Sequence, residues 1–116
     1  MALLVLAAGL MMLTALLHSV LGERRLIAPL IALDAGIMTR PLAQRVLRFA
    51  WHLTSALMLA CAFAMLWPAT PQPVLAAISL AWLVPGIVDA LYTRGRHIGW
   101  PLLVAAGALP LIRILS

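Results

Sequence analysis

The sequence predicts an all-α integral membrane protein, a four-helix bundle whose helices run up and down, antiparallel to one another. Of its 116 residues, 66% are hydrophobic and 9% are charged, whereas soluble domains are about 45–50% apolar and about 25% charged. The apolar residues form runs close to the about 20 residues that cross a bilayer core. So little polar surface cannot cover a soluble globule, and we expect one transmembrane domain over residues 1–116.

The charged residues predict how the bundle is oriented. All basic residues are arginines, and the formal net charge is +5. Seven arginines lie in the first and third loops: Arg24, Arg25, Arg40, Arg45, Arg48, Arg94 and Arg96. Only Arg113 lies on the opposite side, so the positive-inside rule places the first and third loops in the cytoplasm. Arginines between apolar spans fit anionic lipids at that face and do not indicate nucleic acid.

The first span covers about residues 2–22 and ends at Glu23. It lacks the basic start and the small-residue cleavage site of a signal peptide, so we expect it to be retained. Residues 26–38 are apolar but too short to cross, and Pro29 and Asp34 interrupt them. This length predicts an interfacial or re-entrant segment, with a simple extension of the first helix as an equal alternative.

The second span covers about residues 49–67, in a helix that begins near Thr39 with a capping hydroxyl and Pro41 in its first turn. Three alanines repeat every four residues along it: Ala56, Ala60 and Ala64. Such a seam of small residues favours close approach by another helix. It could also be the face through which the chain packs, as an accessory subunit, on a larger membrane complex or on copies of itself.

The third and fourth spans cover about residues 74–92 and 100–115. A proline-rich turn precedes the third span, and Pro85 is expected to kink it. A short basic loop, in which we expect His97 to be solvated, leads to Trp100 and the fourth span. The single cysteine, Cys61, lies within the second span and excludes an internal disulfide.

Polar residues gather at one depth of the predicted bundle. On a helix, Arg45, Arg48, His52 and Ser55 share one stripe, because residues three or four apart lie on the same face. His18 and Asp89 lie about one turn inside the cytoplasmic ends of their own spans, and Glu23 lies at that end of the first span. The candidate binding residues are His18, Glu23, Arg45, Arg48, His52 and Asp89. Polar groups at such a depth normally face protein or a wet cavity, so we expect His18, Glu23, Arg48, His52 and Asp89 to converge.

Four interpretations of this polar layer stay open. Arg45 and Arg48, with the loop residues Arg94 and Arg96, could bind the head group of a lipid or another amphiphile. The residues His18, His52, Glu23 and Asp89 are suitable metal ligands. The two histidines could instead hold haem. The network could also be purely structural, with Arg48 paired to Glu23 or Asp89. No catalytic residue and no cofactor is assigned.

Two strings carry a resemblance. The pattern HSxLGER at residues 18–24 and the string RFAWHLT at residues 48–54 resemble small bacterial inner-membrane proteins of no established activity. This resemblance implies a four-span fold of the inner-membrane kind and one shared feature containing His18, Glu23, Arg48 and His52. The arginine count, by the positive-inside rule, places both termini in the periplasm. Arg45 and Arg48 are also loosely similar to the basic mouth of membrane glutathione transferases. That similarity keeps a small glutathione- or metal-dependent enzyme as the alternative function.

Overall fold

Helices make up almost the whole chain in the computed structural model, which describes residues 1–116 and contains no strand. The α-helices, in order, are α1 Ala2–Gly22, α2 Ala28–Ala32, α3 Pro41–Leu66, α4 Gln72–Tyr92 and α5 Trp100–Leu115. The all-helical prediction is therefore confirmed. The ends of the third and fourth predicted spans agree with those of α4 and α5 to within two residues.

Three helical stretches are long and apolar enough to cross a membrane: Ala2–Ala32, Pro41–Leu66 and Gln72–Tyr92. They indicate a membrane protein. The last helix, α5, is apolar but has only 16 residues. At 1.5 Å per residue it is about 24 Å long, which is shorter than a hydrocarbon core of about 30 Å.

The segment after the first span is an extension of the first helix. Between α1 and α2 the chain makes a π-helical turn, Glu23–Ile27, so the helix continues without a break to Ala32. It then turns at Asp34, which has a positive φ of 45°, and makes a short 3-10 helix over Gly36–Thr39. Of the two alternatives, residues 26–32 follow the helix extension and do not form a separate re-entrant piece.

Helix α3 begins as predicted at a proline but not with the predicted cap. Pro41 occupies the first turn, where its missing N–H costs no hydrogen bond. The Thr39 hydroxyl does not cap this helix, because it donates to the Gly36 carbonyl at 2.9 Å. Instead Gln44 donates its side-chain amide to the Met38 carbonyl at 2.7 Å and ties the preceding loop to the helix.

The helices do not pack in the order in which they follow one another. Helix α1 packs against both α3 and α5, α5 packs against α4, and α3 touches α4 only slightly. The row α3–α1–α5–α4 therefore has α1 and α5 in the middle. A core from all four of these helices joins them: Ala8, Met11, Ala62, Met65, Trp82 and Ala106.

Glycines allow α4 and α5 to pack closely against each other. The alanine seam predicted on α3 makes no comparable contact with another helix of the chain. A Cβ at Gly86 would lie 2.8 Å from the backbone nitrogen of Val104. On α3, Ala56 and Ala60 are exposed, and the buried face runs through Ala62 instead. Two residues of helix separate Ala60 from Ala62 by about 200°, so the predicted packing face is wrong within the chain. Its role in contacts with other subunits stays a prediction.

Candidate functional site

Polar chemistry concentrates at the end of the bundle that holds the α1–α3 connection, residues 23–40, and the α4–α5 loop, residues 93–99. We call this the arginine-rich end. It contains two separate features. One is an ion cluster on the α1–α3 contact, made of Ser19, Glu23, Arg48, His52 and Ser55. The other is a cavity, open on one side, that is lined by α1 and the π-helical turn after it, by α3, by α5 and by the α4–α5 loop.

The ion cluster is a continuous hydrogen-bond network between α1 and α3. Arg48 donates to Glu23 through Nε at 3.0 Å and through Nη2 at 2.7 Å. The other Glu23 oxygen lies 3.1 Å from Nε2 of His52, whose Nδ1 lies 2.9 Å from the Ser19 hydroxyl. Ser19 in turn donates to the Ser55 hydroxyl at 2.7 Å. The network thus runs from the arginine-rich end toward the middle of the bundle.

Helical spacing explains why these residues meet. Ser19 and Glu23 are four residues apart on one helix, and Arg48, His52 and Ser55 follow at i, i+4 and i+7 on the other. Each set therefore forms one stripe, and the two stripes face each other. The side chains of Glu23, Arg48 and His52 are 30%, 47% and 38% exposed, so the network lies at the surface of the chain. Its main effect is to fix the register of α3 against α1.

Arg48 and His52 meet Glu23 as predicted, whereas Asp89 does not join them and His18 makes no hydrogen bond with them. Arg45 is exposed and forms no salt bridge or side-chain hydrogen bond. Asp89 pairs with Nδ1 of His97 at 2.5 Å, so His97 is not simply solvated as expected. The loop makes this pair possible: Arg94 and Gly95 adopt positive φ, and the chain folds back over the end of α4.

The cavity has a volume of about 510 Å³ and is apolar inside and basic at its rim. Its apolar wall consists of Leu17, Leu21, Leu26, Met58, Ile98, Leu102 and Leu103. Two arginines, Arg25 and Arg96, and the imidazole of His97 also line it, and no lining residue is acidic. None of the ion-cluster residues lines this space. The cavity is therefore a second feature, which the depth of the polar residues did not predict.

His18 belongs to the cavity and not to the ion cluster. Its ring meets the indole of Trp51 edge to face, with the centroids 4.4 Å apart, and its carbonyl accepts a hydrogen bond from the Trp51 Nε1 at 2.8 Å. The indole also occupies the space beside Gly22, where any Cβ would overlap it. The Nε2 atom of His18 is buried and has no hydrogen-bond partner. On α3, Trp51 thus faces the cavity while the next residue, His52, faces the ion cluster.

Two cavity residues, Arg25 and Trp51, were not predicted to belong to a site, although the spacing of residues on α1 indicated one. Arg25 enters the sequence analysis only through the orientation of the bundle, and Trp51 only within the RFAWHLT string. His18, Gly22 and Arg25 follow one another at i, i+4 and i+7, which places them on one face of a helix. A glycine in such a stripe is one sign that a bulky neighbour packs there. Arg96 is one of the loop arginines of the head-group interpretation, and it lines the cavity, whereas Arg94 does not.

The geometry also bears on the metal and haem interpretations. No group of three or more His, Cys, Asp or Glu side chains is arranged to hold a metal ion. The four residues proposed as ligands are divided among the ion cluster, the cavity wall and the Asp89–His97 pair. Both ring nitrogens of His52 are engaged, by Ser19 and Glu23. Without breaking this network, His52 offers no free nitrogen to haem iron.

Comparisons with known proteins identify no relative of this chain. A scan against protein-family models finds no match, and searches of curated proteins and of solved structures find no match. The resemblance to small bacterial membrane proteins stays a prediction. What the chain does must therefore be inferred from its own geometry and charge.

Proposed function

We propose that this chain is a multi-pass protein of the bacterial inner membrane that binds an amphiphile with a phosphate or carboxylate head group. The site is the cavity at the arginine-rich end. One observation supports this most: the cavity is apolar within and rimmed by two arginines, in a chain with three helices of membrane-crossing length. An amphiphile has the same division into a charged end and an apolar end.

The rim suits an anionic head group because its positive charges are not neutralised. Neither Arg25 nor Arg96 forms a salt bridge with any carboxylate of the chain. Guanidinium groups bind phosphate and carboxylate through paired N–H donors, which fixes orientation as well as affinity. The two arginines come from different elements, the π-helical turn after α1 and the α4–α5 loop. A head group between them would be held from two sides.

The interior suits an apolar chain. Leucine and methionine side chains form most of the wall, and the volume of about 510 Å³ lies within the roughly 300–1,000 Å³ typical of small-molecule sites. The cavity lies beside membrane-length helices, so a ligand already dissolved in the bilayer would reach it at high local concentration. This source favours a membrane amphiphile over a soluble anion with the same head group.

The residues first assigned to binding have supporting roles in this proposal. Glu23, Arg48 and His52 hold α3 in register with α1, and this register places Trp51 against the cavity. Arg45 is exposed at the same end and is suited to contact anionic lipid at the membrane surface. The ligand itself meets the rim arginines and the apolar wall.

Neutralising the rim should weaken binding strongly. We expect the double variant Arg25→Gln/Arg96→Gln to bind 1-palmitoyl-glycerol 3-phosphate at least about a hundredfold more weakly, since each charged hydrogen bond contributes about 1.5–3 kcal/mol and about 1.4 kcal/mol is tenfold. Titration followed by native mass spectrometry in detergent measures this. The matched control is Arg24→Gln/Arg94→Gln, which removes the same charge from neighbouring residues outside the cavity.

The control variant should keep affinity within about threefold, a difference of less than 1 kcal/mol. Equal losses in both double variants would show that net charge attracts the lipid without a site, and would contradict the proposal. Glycerol 3-phosphate alone serves as the second probe. If it binds as well as the palmitoyl compound, the ligand is a soluble anion and not an amphiphile.

The orientation is tested separately. Because seven of the eight arginines lie at the arginine-rich end, we expect this end to face the cytoplasm. A reporter that is active only in the periplasm should be active when fused after Ser116 and silent when inserted at Gly95. The reverse pattern would place the cavity in the outer leaflet.

A further inference from the structure

We infer that His18 selects the ligand by hydrogen bonding to an oxygen just below its head group. The ligand class would then be an acylated glycerol phosphate or a similar molecule, with an ester or hydroxyl oxygen between its anionic group and its chain. A plain alkyl phosphate would be a poorer ligand. This inference rests on the proposed function and adds to it the residue that distinguishes one anionic amphiphile from another.

The position of His18 along α1 fits this role. It lines the cavity together with Arg25, which follows it by seven residues. Seven residues are about two helical turns, so the rim arginine lies about 10 Å nearer the end of the bundle. A ligand whose phosphate meets the rim therefore brings the first atoms of its apolar part past the imidazole. In an acylated glycerol phosphate, these atoms are the glycerol and ester oxygens.

His18 is also the polar group in the wall that needs a partner. Its Nε2 is buried out of reach of the cavity, whereas its Nδ1 is accessible and also makes no hydrogen bond within the chain. The hydroxyl of Thr14, in the same wall, donates to the Leu10 carbonyl at 2.7 Å. A ligand that covers Nδ1 removes it from water, which is costly unless a ligand oxygen pairs with it. A purely apolar chain would leave it unpaired. A site built to make a hydrogen bond discriminates in this way against the analogue that lacks the group.

Trp51 holds the imidazole in place. The edge-to-face contact with the indole fixes the ring from one side, and the hydrogen bond from Nε1 fixes the His18 backbone at 2.8 Å. The ring therefore does not need to be ordered when a ligand binds, which favours selectivity because less entropy is lost. Packing against Trp51 alone would not require a nitrogen at position 18, and this difference can be tested.

The test compares two ligands on two proteins. Native mass spectrometry in detergent measures the affinities of wild type and His18→Phe for 1-palmitoyl-glycerol 3-phosphate and for hexadecyl phosphate. We expect wild type to prefer the acylated glycerol phosphate by about tenfold, equivalent to about 1.4 kcal/mol. In His18→Phe this preference should fall to about threefold or less, with the affinity for hexadecyl phosphate unchanged. Phenylalanine keeps the edge contact with Trp51 and loses the nitrogens.

Two further variants keep the outcomes distinct. His18→Gln restores a hydrogen-bonding group and should recover part of the preference, whereas Leu16→Phe, at an exposed position of α1 outside the cavity, should leave the preference intact. If His18→Phe keeps the full preference, the inference about His18 is overturned while the proposed function stands. If wild type binds neither ligand, both are overturned.

A measurement on the unmutated protein avoids dependence on variant folding. In a ¹⁵N spectrum of wild type, the His18 imidazole nitrogen should shift on addition of 1-palmitoyl-glycerol 3-phosphate and should shift much less with hexadecyl phosphate. Equal shifts with the two ligands would count against the hydrogen bond, whatever the variants show.

Discussion

Gly107→Ala should lower the free energy of unfolding by about 1–3 kcal/mol, the usual cost of forcing an extra carbon into a packed contact. A Cβ at this position would lie against the backbone of α4, at Ser79 and Leu83. Backbone atoms cannot move aside as a flexible side chain can, so α4 and α5 would have to separate. These two helices share the most extensive contact in the chain.

The control for this variant is Gly9→Ala, where a Cβ would meet nothing within 4 Å. In a helix this change should be neutral or stabilising, because alanine has the higher helix propensity. Thermal unfolding in detergent, followed by circular dichroism, compares the two variants. Equal melting temperatures would show that α4 and α5 do not meet through Gly107.

The helix boundaries could be predicted because local chemistry sets them. Pro41 and Pro101 lie in the first turns of their helices. Helix α3 ends at Leu66, one residue before the predicted end of the second span. The alanine seam could not be assigned, because beyond Ser55 every face of α3 is apolar enough to be buried or to face lipid. Composition does not distinguish these environments, and the correct face is set by which helix lies next to it.

The contacts of the ion cluster could be predicted from the sequence, whereas the cavity could not. Glu23, Arg48 and His52 lie at one depth on helices that are consecutive spans, and stripes on such helices can meet. Asp89 shares that depth but lies on α4, which is separated from α1 by α5 in the row. Depth along the membrane normal therefore predicts one coordinate of a residue and not its neighbours. The cavity depends on that row and on the fold of the α4–α5 loop.

Trp51 connects the two features, so its replacement should have consequences in both. The indole fills the space beside Gly22, contacts the His18 ring and lines the cavity. We expect Trp51→Ala to lower the free energy of unfolding by about 3 kcal/mol, at the lower end of the range for large aromatics in cores because the side chain is only partly buried. Binding of 1-palmitoyl-glycerol 3-phosphate should be lost at the same time.

Two further variants separate the causes of that loss. Trp51→Phe keeps an aromatic ring but removes the N–H that bonds to the His18 carbonyl, so it should cost about 1 kcal/mol for the hydrogen bond plus a smaller packing term. Trp67→Ala is the matched control. Trp67 is 53% exposed at the opposite end of α3, where its ring packs on Phe63, and its loss should change stability by about 1 kcal/mol or less. Melting temperatures and ligand affinities of all three variants are measured in the same detergent. If Trp51→Ala is no worse than Trp67→Ala, then α3 is not held against α1 through Gly22, and the wall of the proposed site is not where the contacts place it.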